Sequence, residues 1–459
     1  MEKRSSFSGS IGFVLAAAGS AVGLGNIWRF PYLAAKDGGG LFLVIYIVLA
    51  LTFGFTLLFS EIAIGRKTKQ GCLTAYGRIH KKMGWLGGIA SAVPFIILPY
   101  YCVIGGWVLK YALTFVFGHG LDAAQDGFFT DFITGHAQPI IYNAVFLLLT
   151  AFVIFRGVNK GIEAMSKVLM PILFVLIIGI AIYSLTITHT DENGTRTALE
   201  GMLIYVVPNV NGLGFGDIMK VVMDAMGQLF YSISVAMGIM VTYGSYFKDE
   251  DNLVKSVNQI EIFDTLVAFL AGVMIIPAVY VFSGTEGMAA GPGLMFVAMP
   301  KIFAQMGVAG QILGAVFFLM VLFAALTSSI SLMEAICSGM IDKGMSRKKA
   351  TVTEGLLALA ISVVVCLGYN LLYFDCTLPN GSVGQILDIL DYLSNNIMMP
   401  VLAIGTCVLI GWIVKPKTVI EEATKNGEKF ARRGLYIVMV KFIAPALLII
   451  LLLGSLGIY

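Results

Sequence analysis

The sequence is poor in charge. Asp, Glu, Lys and Arg together make up 12% of its 459 residues, about half the share of an ordinary soluble domain. That deficit excludes a water-exposed globular protein, because 58% hydrophobic residues leave too little polar surface to cover one. Histidine is scarcer still. The four present (His80, His119, His136, His189) fall in loops and form no cluster, and the six cysteines are scattered singly. Neither a zinc site, a disulfide framework nor a converging catalytic set can be built from them, so the chain is not expected to be an enzyme or to hold an organic cofactor. No polybasic tract suited to nucleic acid is present. A period-two alternation is also missing, which excludes a membrane β-barrel.

What the chain does contain is apolar runs of the length that crosses a bilayer, about 20 residues. Eleven fall at 11–35, 41–65, 88–117, 140–155, 165–187, 221–247, 260–282, 308–341, 352–374, 389–413 and 435–458, here spans 1 to 11. An all-α integral membrane protein of eleven transmembrane helices follows. Most of the Lys and Arg residues lie in alternate loops, beginning with Lys3 and Arg4 and ending with Lys415 to Arg433. The positive-inside rule then places the N-terminus in the cytoplasm and the C-terminus outside, in a multi-pass protein of the cell (inner) membrane.

Two spans carry residues that a bilayer helix avoids. Span 1 reads GSAVGLGNIWRFP over 19–31, and span 6 contains SISVAMG over 232–238. Both head a five-span block, 1–5 and 6–10. Five is odd, so the second block must lie inverted relative to the first. The expected organisation is a first repeat at about 10–187, a second at about 221–413, and an additional helix at 435–458, in a single transporter domain. Discontinuous helices at matching places in inverted halves mark a midplane binding site in secondary transporters.

The chemistry of such breaks is specific. The N-terminal end of the outer half of span 1 offers free N–H groups suited to a carboxylate. The C-terminal end of the inner half offers carbonyls suited to a hard cation or an ammonium, and Asn26 adds a neutral oxygen. In span 6, Ser232 and Ser234 lie just after Gln228. Span 7 contains Asp264 with no neutralising residue nearby, and an intramembrane carboxylate is costly enough that function is the default reading, either sodium coordination or proton exchange. Span 8 contains AALTSSISL, where the Ala324 carbonyl and the Thr327 and Ser328 hydroxyls could meet one cation.

Taken together, AGSAVGLGNIWRFPY (18–32), DGGG (37–40), SEIAIGR (60–66), PYY (99–101), GQLFYSISVAMG (227–238), LTSSISLME (326–334) and DILD (388–391) resemble the sodium-coupled neurotransmitter and amino-acid symporter family, in its bacterial amino-acid branch. The resemblance covers spans 1–10. It implies two Na⁺ sites. The first would use the Ala21 carbonyl, Asn26, Ser232, Asp264 and the substrate carboxylate; the second would use the Gly19, Val22 and Ala324 carbonyls with Thr327 and Ser328. The substrate carboxylate would meet the N–H groups of Leu24 and Gly25 and the Tyr101 hydroxyl, and its ammonium would meet carbonyls around Ala21, Tyr231 and Ser232. Its side chain would lie among Gly23, Ile97, Tyr101, Tyr231, Ser234, Met237, Ser328 and Leu332. An outer gate would pair Arg29 with Asp391 above a Tyr101–Tyr231 lid, and an inner gate would pair Arg4 with Asp342 near Tyr246.

The departures from the family pattern narrow the expectation. Gly23 stands where monoamine-transporting relatives carry Asp, so the substrate must bring its own carboxylate: an amino acid. Asp264 stands where chloride-dependent relatives carry Asn, so a fixed carboxylate replaces the anion and transport is chloride-independent. Without Na⁺ that carboxylate would take up a proton on the return step, giving H⁺ counter-transport. Flexible Met237 with Ser234 and Tyr231 suggests room for a large side chain such as that of tyrosine or tryptophan. The expected function is Na⁺-coupled import of a hydrophobic, aromatic amino acid by alternating access. The alternatives are a symporter of aliphatic amino acids or other zwitterions, and a non-transporting amino-acid sensor.

Overall fold

The computed structural model describes residues 5–191, 194–210, 212–284 and 293–458. It is helical nearly throughout. The described strands form two short hairpins in connecting segments, Thr188–Asp191 with Gly194–Thr197 and Cys376–Thr377 with Val383–Gly384. Among the described residues, nine helices are long and apolar enough to cross a membrane: Gly40–Thr68, Lys81–Val116, Gln138–Phe155, Val158–Ser184, Leu253–Ser283, Gly307–Asp342, Arg347–Leu367, Ile386–Ile413 and Arg433–Ser455. They coincide with spans 2 to 5 and 7 to 11. A tenth crossing is the pair Ser10–Ala21 and Gly25–Lys36, bent by 53°, which is span 1. Span 6 is broken more deeply, into Phe215–Ser232 and Ile239–Ser245.

The two breaks have different local causes. In span 1, Val22 leaves the helical region (φ −75°, ψ 88°), and the helix restarts at Leu24. In span 6, Ser234, Ala236 and Gly238 all have positive φ (52°, 57° and 69°). A left-handed backbone costs a non-glycine residue roughly 1–2 kcal/mol, so the segment persists only because its surroundings hold it. One holder is Glu61 of span 2, which is fully buried and accepts the Ala236 N–H at 2.7 Å.

Spans 3 and 8 form the long central pair, each packed along the other. Span 3 tolerates Pro94 and Pro99 in its interior because neighbouring helices enclose it. Span 2 meets the second half of span 6 backbone to backbone. A Cβ on Gly65 would stand 1.9 Å from the Val241 carbonyl oxygen, and one on Gly244 would stand 2.4 Å from that of Ile62. Small residues at such crossings let helices approach closely in lipid. The last helix is tied on by Arg432, whose guanidinium pairs with Glu261 of span 7 at 2.8 Å and lies 3.6 Å above the Phe55 ring.

The span 2–span 6 crossing generates a direct test. Gly244→Ala should lower the thermal unfolding temperature of the purified protein, at a cost of about 1–3 kcal/mol for an overpacked contact. Gly88→Ala, with nothing within 4 Å of the added carbon, should leave it unchanged or raise it slightly.

Candidate ion and substrate site

The two broken segments face each other at the centre of the bundle and are tied directly. The Ser234 hydroxyl donates to the Ser20 carbonyl at 2.9 Å, the Ser20 hydroxyl donates to Ser234 Oγ at 3.2 Å, and the Ser328 hydroxyl of span 8 also donates to the Ser20 carbonyl at 3.1 Å. On the other side, Gln228 Nε2 donates to the Gly25 carbonyl at 2.9 Å. The carbonyls and amides freed by the breaks are thus partly met by span 6 and span 8 side chains, as an interrupted helix in lipid requires.

One expected ion site assembles around Asp264, with Asn26, Ser232 and Asp264 all fully buried. The Asn26 side-chain amide donates to Ser232 Oγ and to Asp264 Oδ1, both at 2.8 Å, and its Oδ1 accepts the Gly23 N–H at 3.2 Å. The Ser232 hydroxyl donates to both Asp264 oxygens at 2.7 and 2.9 Å, and Tyr46 reaches Ser232 at 3.0 Å and Asp264 at 3.3 Å. All the donors are neutral, and among the described residues no cationic side chain pairs with Asp264. A buried carboxylate so placed lacks a counter-charge. The donor set of carboxylate, amide and hydroxyl oxygens is what a hard monovalent cation takes.

The second expected ion site lies where spans 1, 5 and 8 meet. Gly19 faces Thr327, whose Cβ would be 3.4 Å from a Cβ at Gly19, and also faces Met170 of span 5. The Thr327 hydroxyl bonds back to the Ala324 and Phe323 carbonyls at 3.0 and 3.1 Å. Among the described residues no cluster of three His, Cys, Asp or Glu side chains is placed to hold a metal ion.

The central cavity is lined by Ser20, Gly23, Ile97, Tyr101, Tyr231, Ser234, Met237, Ile239, Ser328 and Leu332. Every residue expected around the substrate side chain lines it; Ser20 and Ile239 are additions. Its volume of about 20 Å³ holds little more than one water molecule. The room expected from Met237 is therefore not open in this conformation: Met237, Leu332 or Tyr231 must move for a large side chain to enter. Tyr101 stands 3.5 Å from the Leu24 N–H. A Cβ at Gly23 would lie 2.6 Å from Ser328 Oγ and 3.2 Å from the Tyr101 hydroxyl, so a side chain there would have to displace Ser328 and crowd Tyr101, both of which line the cavity.

Tyr231 lines both this cavity and a larger vestibule of about 640 Å³ on the Arg29 side, into which Arg29, Asp224, Asn395 and Ile450 also project. Its ring covers Gly25, where a Cβ would approach it to 2.3 Å. Tyr231 is thus the partition between the two spaces. The expected Arg29–Asp391 ion pair is not formed. Asp391 Oδ1 instead accepts from Tyr100 at 3.0 Å and Asn395 at 2.5 Å, and the Arg29 guanidinium lies 5.9 Å above the Tyr231 ring. Neighbouring neutral donors take up the carboxylate and an aromatic face takes up the cation.

The opposite end is tightly joined. Phe7 packs edge-on against Phe13, Tyr243 and Tyr246, and its N–H donates to the Tyr246 carbonyl at 3.1 Å. Asp342 accepts from the Gly71 N–H at 2.6 Å and from Thr74 at 3.1 Å; its expected partner Arg4 lies outside the described residues. The Tyr246 hydroxyl donates to Glu334 at 2.5 Å. Glu334 is fully buried and takes a forked pair of bonds from Arg347 at 2.7 and 2.9 Å. Sequence reasoning missed this pair as it missed Glu61, although both carboxylates were detectable as acidic residues inside apolar runs.

The closeness of Gly23 to its neighbours sets one expectation. Gly23→Ala should weaken binding of a labelled amino acid at least tenfold in an equilibrium binding assay. Unchanged affinity would show that Ser328 and Tyr101 do not bound the site.

Comparison with known proteins agrees with this geometry. The sequence pattern of the Sodium:neurotransmitter symporter family matches residues 4–125 and 134–459. The chain is 36% identical to the sodium-dependent transporter YhdH of Bacillus subtilis (strain 168), over 100% of this chain and 99% of that one. It is 32% identical to the sodium-dependent transporter MJ1319 of Methanocaldococcus jannaschii, over 93% and 85%. The crystal structure of MhsT in complex with L-phenylalanine superposes with a TM-score of 0.86 at 31% identity, covering 99% of this chain and all of that one. Two broken helices, an uncompensated buried carboxylate between them and a match along almost the whole sequence lead to one conclusion: this protein belongs to the sodium:neurotransmitter symporter family and is a sodium-dependent membrane transporter, not an enzyme.

Proposed function

We propose that the protein imports a hydrophobic, aromatic amino acid together with two Na⁺ ions by alternating access. The observation that carries this reading is Asp264: fully buried, bonded only by neutral donors, and placed beside the exposed ends of span 1. Asn26, Ser232, Asp264 and the Ala21 carbonyl would hold one ion, with the substrate carboxylate completing its shell. The Gly19, Val22 and Ala324 carbonyls with Thr327 and Ser328 would hold the other. The Leu24 and Gly25 N–H groups and Tyr101 would meet the substrate carboxylate, and the absent side chain at Gly23 leaves space for the main-chain atoms.

Alternating access follows from what joins each end. Spans 1–5 and 6–10 act as inverted repeats, with the N-terminus in the cytoplasm and the Arg29 side outside. Tyr231 and Arg29 would close over a bound substrate and bring Arg29 towards Asp391. Release to the cytoplasm would part Phe7 from Tyr246 and Arg4 from Asp342. Because Ser232 and Tyr46 are already bonded to the Asp264 carboxylate, their hydroxyls are not free for an anion, and transport is independent of chloride. On the empty return step Asp264 would carry a proton, so the cycle exports H⁺. L-phenylalanine bound to MhsT supports an aromatic substrate. The second reading is an aliphatic amino acid or another zwitterion, for which the cavity of about 20 Å³ would have to open less.

The driving force distinguishes stoichiometries. With a tenfold Na⁺ gradient and about 100 mV, two ions supply roughly 7 kcal/mol and about 10⁵-fold accumulation of a zwitterion, whereas one ion gives about 500-fold. Uptake of a panel of labelled amino acids into proteoliposomes should require Na⁺, proceed equally without Cl⁻, and be strongest for aromatic substrates. Asp264→Asn should transport only when chloride is supplied. Normal transport by that variant without chloride, or a return rate indifferent to internal pH, would refute the role given to Asp264.

A further inference from the structure

Beyond the contacts of Gly71 and Thr74 with Asp342, the connection between spans 2 and 3 forms a concave site of its own. The helix Cys72–Ile79 buries Cys72, Ala75 and Tyr76, and Tyr76 is fixed to Thr406 at 3.0 Å. The chain then turns through an extended His80 and a short turn at Lys81–Met83 before span 3 begins. Two glycines pinch this turn: a Cβ at Gly77 would lie 3.4 Å from Gly84 Cα. The result is a cavity of about 580 Å³ lined by Gly77, Arg78, Ile79, His80, Lys81 and Lys82. Arg78, Lys81 and Lys82 are exposed, and His80 Nδ1 is buried with no hydrogen-bond partner.

Several cations at this end of the molecule are matched by acids. Lys69 and Lys425 pair with Asp249, Lys167 with Glu163, Arg347 with Glu334 and Arg432 with Glu261. None of the four basic residues of the turn has an acidic partner among the described residues, and no acid lines the cavity. Its position at a membrane boundary is marked by Trp85, the first residue of the span 3 helix, with 53% of its surface exposed. Tryptophan at that level anchors helices at the headgroup region, and clustered Lys and Arg beside a span attract anionic lipids.

We propose that the 77–82 turn binds the phosphate of an anionic phospholipid headgroup, with Arg78, Lys81 and Lys82 around the phosphate and Trp85 beside the start of the acyl chains. The occupant is a lipid rather than a soluble anion because the cavity opens at the foot of an apolar helix whose exposed tryptophan extends the same surface. Binding would brace the junction that carries Gly71 and Thr74, the partners of Asp342, and so bear on the cytoplasmic gate proposed above.

The test uses the full-length protein in detergent, titrated with short-chain phosphatidylglycerol or phosphatidylcholine and followed by thermal unfolding and native mass spectrometry. The parent should bind phosphatidylglycerol at least tenfold more tightly than phosphatidylcholine. The variant Arg78→Gln/Lys81→Gln/Lys82→Gln should lose that preference, whereas Lys343→Gln/Lys348→Gln/Lys349→Gln should keep it. The charge-preserving Lys81→Arg/Lys82→Arg should also keep it, which guards against a variant that fails to fold. Equal preference in the site variant, or equal loss in both triple variants, would overturn the proposal. Displacement of phosphatidylglycerol by millimolar inorganic phosphate would overturn the choice of lipid in favour of a soluble anion.

Discussion

The structure depends on one constraint: two membrane helices are broken at their centres, and every backbone group freed there must find a partner. In lipid an unmet N–H or C=O costs several kcal/mol, so the breaks are tolerable only against each other and against polar side chains. Ser234 and Ser328 meet the Ser20 carbonyl, Gln228 meets the Gly25 carbonyl, and Glu61 meets the Ala236 N–H. These contacts fix span 1 to spans 6 and 8, and span 6 to span 2. In the proposed reading, the groups they leave over, the carbonyls at the end of one half-helix and the N–H groups at the start of the next, would receive opposite charges at the two ends of a short molecule.

Charge placement follows the same logic. The chain carries few ionisable residues within its helices, and most are matched. Glu334 has Arg347, Glu261 has Arg432, and Arg66 has Glu422. Asp264 is bonded only by neutral donors beside the break in span 1, and this imbalance suits it to a mobile cation. The same matching makes the gates adjustable. Asp391 is held by Tyr100 and Asn395, and in the proposed cycle it would exchange those neutral donors for Arg29 as the site closes over a substrate.

Much of this was legible in the sequence, for physical reasons that can be named. Apolar run length gave the crossings, because a bilayer tolerates little else of that length. Breaks showed as GSAVGLGN and SISVAMG because glycine and serine are the residues an interrupted helix needs. Asp264 and Asn26 stood out as polar groups without neighbours in sequence. The resemblance supplied the assignment of carbonyls, which no periodicity could have shown. Less legible were contacts that depend on how helices cross. Glu61 and Glu334 lie in apolar runs, but their partners Ala236 and Arg347 lie 175 and 13 residues away. The conformation of the gates was not legible either. Arg29 and Asp391 are both present, yet in this conformation they do not pair, and a sequence carries no record of conformation. The contraction of the central cavity around Met237 belongs to the same class.

The central claim is that cation and substrate share one site, with the substrate carboxylate completing the shell around the ion at Asp264. Thermodynamic linkage tests it most directly. Equilibrium binding of a labelled aromatic amino acid should be measured across Na⁺ concentrations, and Na⁺ binding across amino-acid concentrations. The account predicts that each ligand tightens the other by the same factor, at least tenfold, and that Asp264→Ala abolishes this coupling. Amino-acid affinity that is unchanged between zero and saturating Na⁺ would contradict it.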